Sequence, residues 1–130
     1  RTWLIDFYRT GTGHILRDAI ELECSIKFSL SGITDLAGQQ ALEDALLGQQ
    51  RLDQPVPIQN GFTSAKALAA INYLRDLAGD YTEPDMREYL SGLLIHTLYL
   101  LSLDFLHERD ANSRARVLLS AAMIVEKLGA

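Results

Sequence analysis

Apolar side chains recur at helical spacing through most of this chain, and the punctuation between them predicts where each helix starts and stops. Residues 63–129 give the clearest pattern, a unit of three helices. Thr63 or Ser64 is placed to cap a helix whose inward face reads Leu68, Ile71, Leu74 (or Tyr73) and Leu77, with Gly79 where the residue after a helix belongs. Thr82-Glu83-Pro84-Asp85 is the next start signal, with proline suited to a first turn and acids to the positive helix end. The helix it opens is predicted to span 84–106. Between Leu93 and Leu103 it is apolar nearly all round, the pattern of a central helix wrapped by others, so Leu94→Asp or Leu98→Asp is expected to unfold the domain. A short polar stretch, Glu108 to Ser113, then leads into a last helix carrying Val117, Leu118, Ala121, Ile124, Val125 and Leu128.

The first half is less uniform. Thr34 or Asp35 can cap a helix reaching about Gln50, with Leu36, Ala37, Ala41, Ala45 and Leu46 on its apolar side and Leu42 and Leu47 widening it. Residues 53–61, with Pro55, Pro57 and Asn60-Gly61, read as a linker. Residues 1–31 carry two competing periods. Ile20, Leu22, Cys24, Ile26, Phe28 and Leu30 alternate with polar residues as a half-buried strand would, and a strand there would have to pair with residues 2–8 or with another chain. Ile15, Ala19, Leu22 and Ile26 instead follow helical spacing, and Arg17–Glu21 and Glu23–Lys27 supply oppositely charged pairs four apart. Helix is preferred, because everything downstream is helical. The expected fold is therefore all-α: one domain over 1–130, a bundle of four or five helices around the apolar helix 84–106, with a short N-terminal β element left open.

Composition changes this picture little. A chain of 130 residues is the size of one domain and can build a core without a disulfide or metal. Cys24 is the only cysteine, so no internal disulfide forms, and a lone thiol suits the cytoplasm. Trp3-Leu4-Ile5 is cut off by Asp6, too short for the core of a signal peptide. The apolar run in 84–106 is interrupted by His96 and closed by Asp104, which argues against a membrane span. The net charge of −5, with seven acids against two arginines between 80 and 110, argues against nucleic acid, whose phosphates call for a basic cluster.

Candidate chemistry is sparse. Gly11-Thr12-Gly13 after an apolar stretch hints at a phosphate loop, but Leu16 stands where a dinucleotide fingerprint wants Gly or Ala and no Lys-Ser/Thr pair follows; the segment is expected to be a turn. His96 and His107 are eleven residues apart, about 16 Å along a helix, too far to chelate one ion. Asp104, His107 and Glu108 would make a shallow metal site at best. Acidic neighbours of Cys24 disfavour its thiolate. No catalytic signature is present, and neither a cofactor nor a metal is expected.

What is left over is apolar surface. Trp3, Phe7, Tyr8, His96 and Tyr99 are the candidate partner-binding residues of a non-enzymatic interaction module, a chaperone, adaptor or regulator that binds a partner protein or itself, as a homodimer, through apolar helix faces. The alternative is a small-ligand sensor with a cavity near His96, Tyr99 and Tyr73. From Ala67 to Leu128 the order of helix, polar break, apolar helix, polar turn ending in Asp110 and last helix resembles flagellin-export chaperones. The N-terminal half does not match that layout. The shared features are those of helix hairpins in general, so the resemblance only tilts the expectation toward interaction.

Overall fold

A computed structural model describes residues 12–59, 62, 64–83, 85–104, 108 and 110–129, with side chains from Leu16 onward. Five α-helices pack together, and no strand occurs among the described residues. They are α1 (Thr12–Ser25), α2 (Leu36–Leu47), α3 (Ala65–Gly79), α4 (Met86–Leu101) and α5 (Ser113–Gly129), and α1 runs on into a π-helical turn at Ile26–Leu30. The all-α bundle expected from the pattern is the fold.

The ambiguous segment 20–30 is helical. Helical winding brings Ile20, Glu23, Cys24 and Lys27 to the inner side, whereas a strand would have turned Glu23 and Lys27 toward water. The β element considered for residues 2–8 lies outside the described residues. Thr12 and Gly13, expected in a turn, instead form the start of α1, where the first backbone N–H groups need no helical partner and glycine costs little. At the other end Ser31 Oγ donates to the Lys27 carbonyl at 2.9 Å and accepts from Ile33 N at 3.2 Å. Gly32, at φ 78°, then takes the left-handed conformation that releases the chain from the helix.

Of the expected caps, Asp35 accepts from Gly38 N at 2.8 Å before α2, whereas Ser64 before α3 makes no side-chain cap hydrogen bond. Asp85, expected inside the next helix, instead caps α4 by accepting from Arg87 N at 2.9 Å. The inward faces match the expectation only in part, at Leu42, Leu46, Leu68 and Ile71. In α2 the buried positions are Gln39, Leu42, Glu43 and Leu46, while Leu36, Ala37 and Ala41 are exposed. In α3 they are Ala67, Leu68, Ile71, Arg75 and Ala78, so Tyr73 and Leu77 face outward. Gly79 is the last residue of α3 rather than a left-handed cap, and a Cβ there would stand 3.3 Å from that of Leu52.

Two apolar clusters divide the interior. Ala19, Ile20 and Cys24 of α1, Leu52, Ala78, and Met86, Tyr89, Leu90 and Leu93 of α4 gather with Ile124 of α5. Leu42, Leu46, Leu68 and Ile71 join α2 to α3. The linker is stitched down: Asn72 exchanges two hydrogen bonds of 2.9 Å with the backbone of Val56, and the Gln49 side chain donates to the carbonyls of Arg51, Leu52 and Gln54.

The expectation for helix 84–106 needs correction. It starts at Met86, ends at Leu101, and is not wrapped on all sides. It packs on α1 and α5, and its outer side is open: Ile95 is 70% exposed, Tyr99 56% and Leu98 49%. Leu98→Asp would therefore place a charge at the surface, and the expectation that it unfolds the domain is withdrawn.

Candidate functional site

Three features of the structure are candidates for a site: a buried network of polar groups, a small cleft, and an exposed apolar face.

The network starts where α1 turns two ionisable residues inward one helical turn apart. Arg75 of α3, 1% exposed, meets the Glu23 carboxylate with both prongs of its guanidinium, Nε to Oε1 at 2.8 Å and Nη2 to Oε2 at 2.7 Å. Its third nitrogen, Nη1, donates to the Leu46 carbonyl and to Gln49 Oε1. Tyr89 of α4 donates its hydroxyl to Glu23 Oε1 at 2.8 Å. Lys27 Nζ lies 3.1 Å from Glu43 Oε2 and 3.9 Å from Glu23, and donates to Ser120 of α5. Gln39 donates to Glu43 and accepts from Arg116, whose other end pairs with Asp110. All five helices thus contribute to one chain of charge-assisted bonds.

The electrostatics follow from that wiring. Burial pushes the Glu23 carboxyl toward its neutral form, but Arg75, Lys27 and the Tyr89 hydroxyl outweigh it and hold the pKa below the ordinary 4.5. Burial likewise pulls Lys27 down, and Glu43 and Glu23 more than reverse it, keeping the ammonium above 10.5. Tyr89 is pushed far up by burial and by the adjacent carboxylate, so it stays a hydroxyl donor. Every formal charge in the network has a direct partner. The network is wired to hold helices in register.

The cleft lies beside the π-helical turn. Cys24, Ser25, Phe28, Ser29, His96, Leu100, Ser113 and Val117 line about 90 Å³. Cys24 sits against Thr97 Oγ1 at 3.9 Å, and burial, opposed by Lys27, pushes its thiol up to about 11. His96 is lowered from 6.5 chiefly by burial, with Glu21 opposing and Arg17 reinforcing the shift. Ligand pockets for drug-sized molecules usually run to about 300–1,000 Å³, so this cleft has room for only a few atoms.

The third feature is the outer side of α4 and α5. Residues 89–103 contain no Asp, Glu, Lys or Arg, and neither do residues 117–125. Gly92 packs close to Ile20 of α1, where a Cβ would come within 2.5 Å of the Ile20 Cδ1, and Arg87 reaches the Leu128 carbonyl of α5 on the opposite flank. With both flanks occupied, Ile95 and Leu98 are left pointing outward. On α5, Val117, Ser120, Ala121 and Ile124 turn inward, leaving Leu118 58% and Val125 54% exposed.

Of the residues singled out in the sequence, His96 and Tyr99 come together, with ring centroids 5.8 Å apart, Tyr99 exposed and His96 half-buried over the cleft. Tyr73 is on α3 and does not line that cleft. Trp3, Phe7 and Tyr8 lie outside the described residues, as does His107, and Asp104 is paired with Arg114. No group of three metal-ligating side chains occurs among the described residues. The sequence reading missed Arg75, Glu43 and Arg116, and also Ile95. The spacing 68–71–75–78 in α3 is an unbroken helical stripe, and it was the available signal for Arg75. Compared with known proteins, the chain matches no family model, no curated sequence and no solved structure. No helix among the described residues is long and apolar enough to cross a membrane.

Proposed function

We propose that this chain is a non-enzymatic protein-interaction module whose docking surface is the outer face of α4 and α5. The observation that carries the reading is Ile95, 70% exposed on a helix without a charged residue from 89 to 103. Ile95, Leu98, Tyr99, Leu118 and Val125 together leave on the order of 500 Å² in the open, near the top of the range of roughly 300–600 Å² for the largest apolar patch on a monomer. A chaperone, adaptor or regulator uses such a face as a groove or seam for a partner helix. A sensor built on the cleft beside His96 is the second reading, favoured by the meeting of a histidine, a thiol and three serines there, and limited by a volume of about 90 Å³.

The test is a photo-crosslinking residue placed at Leu98, with the same probe at Glu83 as control, in the cells that make the protein. The interaction reading expects a protein adduct at position 98 and none at 83. Irradiation that yields no adduct, or only an internal link within the same chain, removes the reading and moves attention to the cleft.

A further inference from the structure

We infer that the occupant of the α4–α5 face is a second copy of this chain, related by a two-fold axis. The inference rests on the interaction reading and names its partner.

Along the exposed side of α4, Ser91, Ile95, Leu98 and Ser102 form a row with steps of four, three and four residues, with exposed Tyr99 beside it. This ridge reads the same in both directions, a serine at each end and two large aliphatic side chains between. Laid antiparallel on itself, the ridge sets Ile95 on the partner's Leu98 and Ser91 on the partner's Ser102, and every contact occurs twice. That is the condition an isologous interface must meet.

The second helix fits the same axis. α5 runs antiparallel beside α4: Arg87 reaches Leu128 at one end, and His96 and Leu100 line one cleft with Val117 and Ser113 further along. Leu118 is therefore level with the midpoint of the α4 ridge and falls on the partner's Leu118. Exposed Ala115 and Ala122 flank it, leaving room for the larger side chains opposite.

Charge is compatible with self-association at this face. No Asp, Glu, Lys or Arg lies between 89 and 103 or between 117 and 125, and His96 is half-buried, so the register buries no carboxylate, ammonium or guanidinium. Both signs stand at each end, Arg87 with Glu88 at one and Asp104 paired with Arg114 at the other. The surplus behind the net −5 sits elsewhere, at Asp44, Asp76, Asp80 and Glu83 among others. On the order of 500 Å² of exposed apolar side chain, edged by serines and alanines, lies below the roughly 800 Å² per partner of a standard interface and fits a weak dimer.

The experiment is sedimentation velocity on the full chain from about 5 to 200 µM, spanning the micromolar range typical of modest interfaces, with Ile95→Arg beside it. The wild type is expected at twice 14.5 kDa and Ile95→Arg at 14.5 kDa with unchanged helical circular dichroism. Should Ile95→Arg fail to fold, Leu118→Cys decides. On mild oxidation it should form a disulfide-linked dimer, while Tyr73→Cys, 71% exposed on α3, should not; Cys24 is buried and stays out of the reaction. A wild type that is monomeric throughout, a dimer that survives Ile95→Arg, or equal linking at 118 and 73 each overturns the inference. A monomer whose position-98 probe captures a different protein overturns it while leaving the interaction reading standing.

Discussion

The junction of α1, α2 and α3 and the outer side of α4 and α5 invert the usual rule of polar outside and apolar inside. At the first, Glu23, Lys27, Glu43 and Arg75 are 0–1% exposed; at the second, Ile95 is 70% exposed. The difference lies in what surrounds each helix. Arg75 goes inside because its neighbours, Glu23, Gln49 and the Leu46 carbonyl, replace the hydrogen bonds it gives up on leaving water. An isoleucine stays outside when, among the described residues, no helix lies on that side. Buried ion pairs add little net stability but penalise any arrangement that separates them, so the network acts by specifying which helices meet.

The contrast is broken most severely by Glu23→Ala. It leaves two cations, Arg75 and Lys27, facing each other without their shared carboxylate, and should cost about 3–5 kcal/mol in urea unfolding. Next in size, for the chain unfolded at concentrations where it is monomeric, Leu93→Ala, at a fully buried position, should cost about 2–5 kcal/mol, and Leu98→Ala on the open side of the same helix under about 1 kcal/mol. Similar losses at 93 and 98 would mean that α4 is wrapped after all.

The pH profile sharpens the network side. Because Glu23 titrates lower when folded, its contribution is complete above about pH 4.5 and disappears as pH falls through the folded value. Lys27 is raised, so its contribution is complete below about pH 10.5 and disappears as pH climbs through its own folded value. His96, lowered from 6.5, adds a smaller loss on the acid side, beginning near that pH. Thermal melts should plateau between these limits, and Glu23→Gln should flatten the acid limb. An acid limb unchanged by that substitution assigns the proton to another group. The smallest effect is kinetic. With its pKa pushed to about 11 from 9.0, Cys24 should react with a thiol reagent at pH 8 about a hundredfold slower than in the urea-unfolded chain. Equal rates would place the thiol at the surface.

What could be read in the sequence was local. The cap at Asp35 and the existence of α2 to α5 depend on residues within a turn or two of one another. Glu23 and Lys27 were legible as a pair four apart, but their burial was not, because their other partners stand 16 to 93 residues away. Arg75 sits in the stripe 68–71–75–78, and ranking residues by hydrophobicity favoured Leu74 and Leu77 over it. The same ranking made 93–103 look like a wrapped core, since an apolar helix reads alike whether its last side meets its own chain or another. Nothing in Ile26–Leu30 marks the π-helical turn that borders the cleft.

The central claim, that neighbours rather than hydrophobicity decide which side chains are inside, is tested most directly on α3, where the two kinds of residue stand two positions apart. Urea midpoints of Arg75→Ala and Leu77→Ala would be measured side by side. The structure predicts a loss of about 3–5 kcal/mol for Arg75→Ala and under about 1 kcal/mol for Leu77→Ala, which is 43% exposed. A larger loss at Leu77 than at Arg75 would contradict it, by putting the leucine inside and the arginine in water.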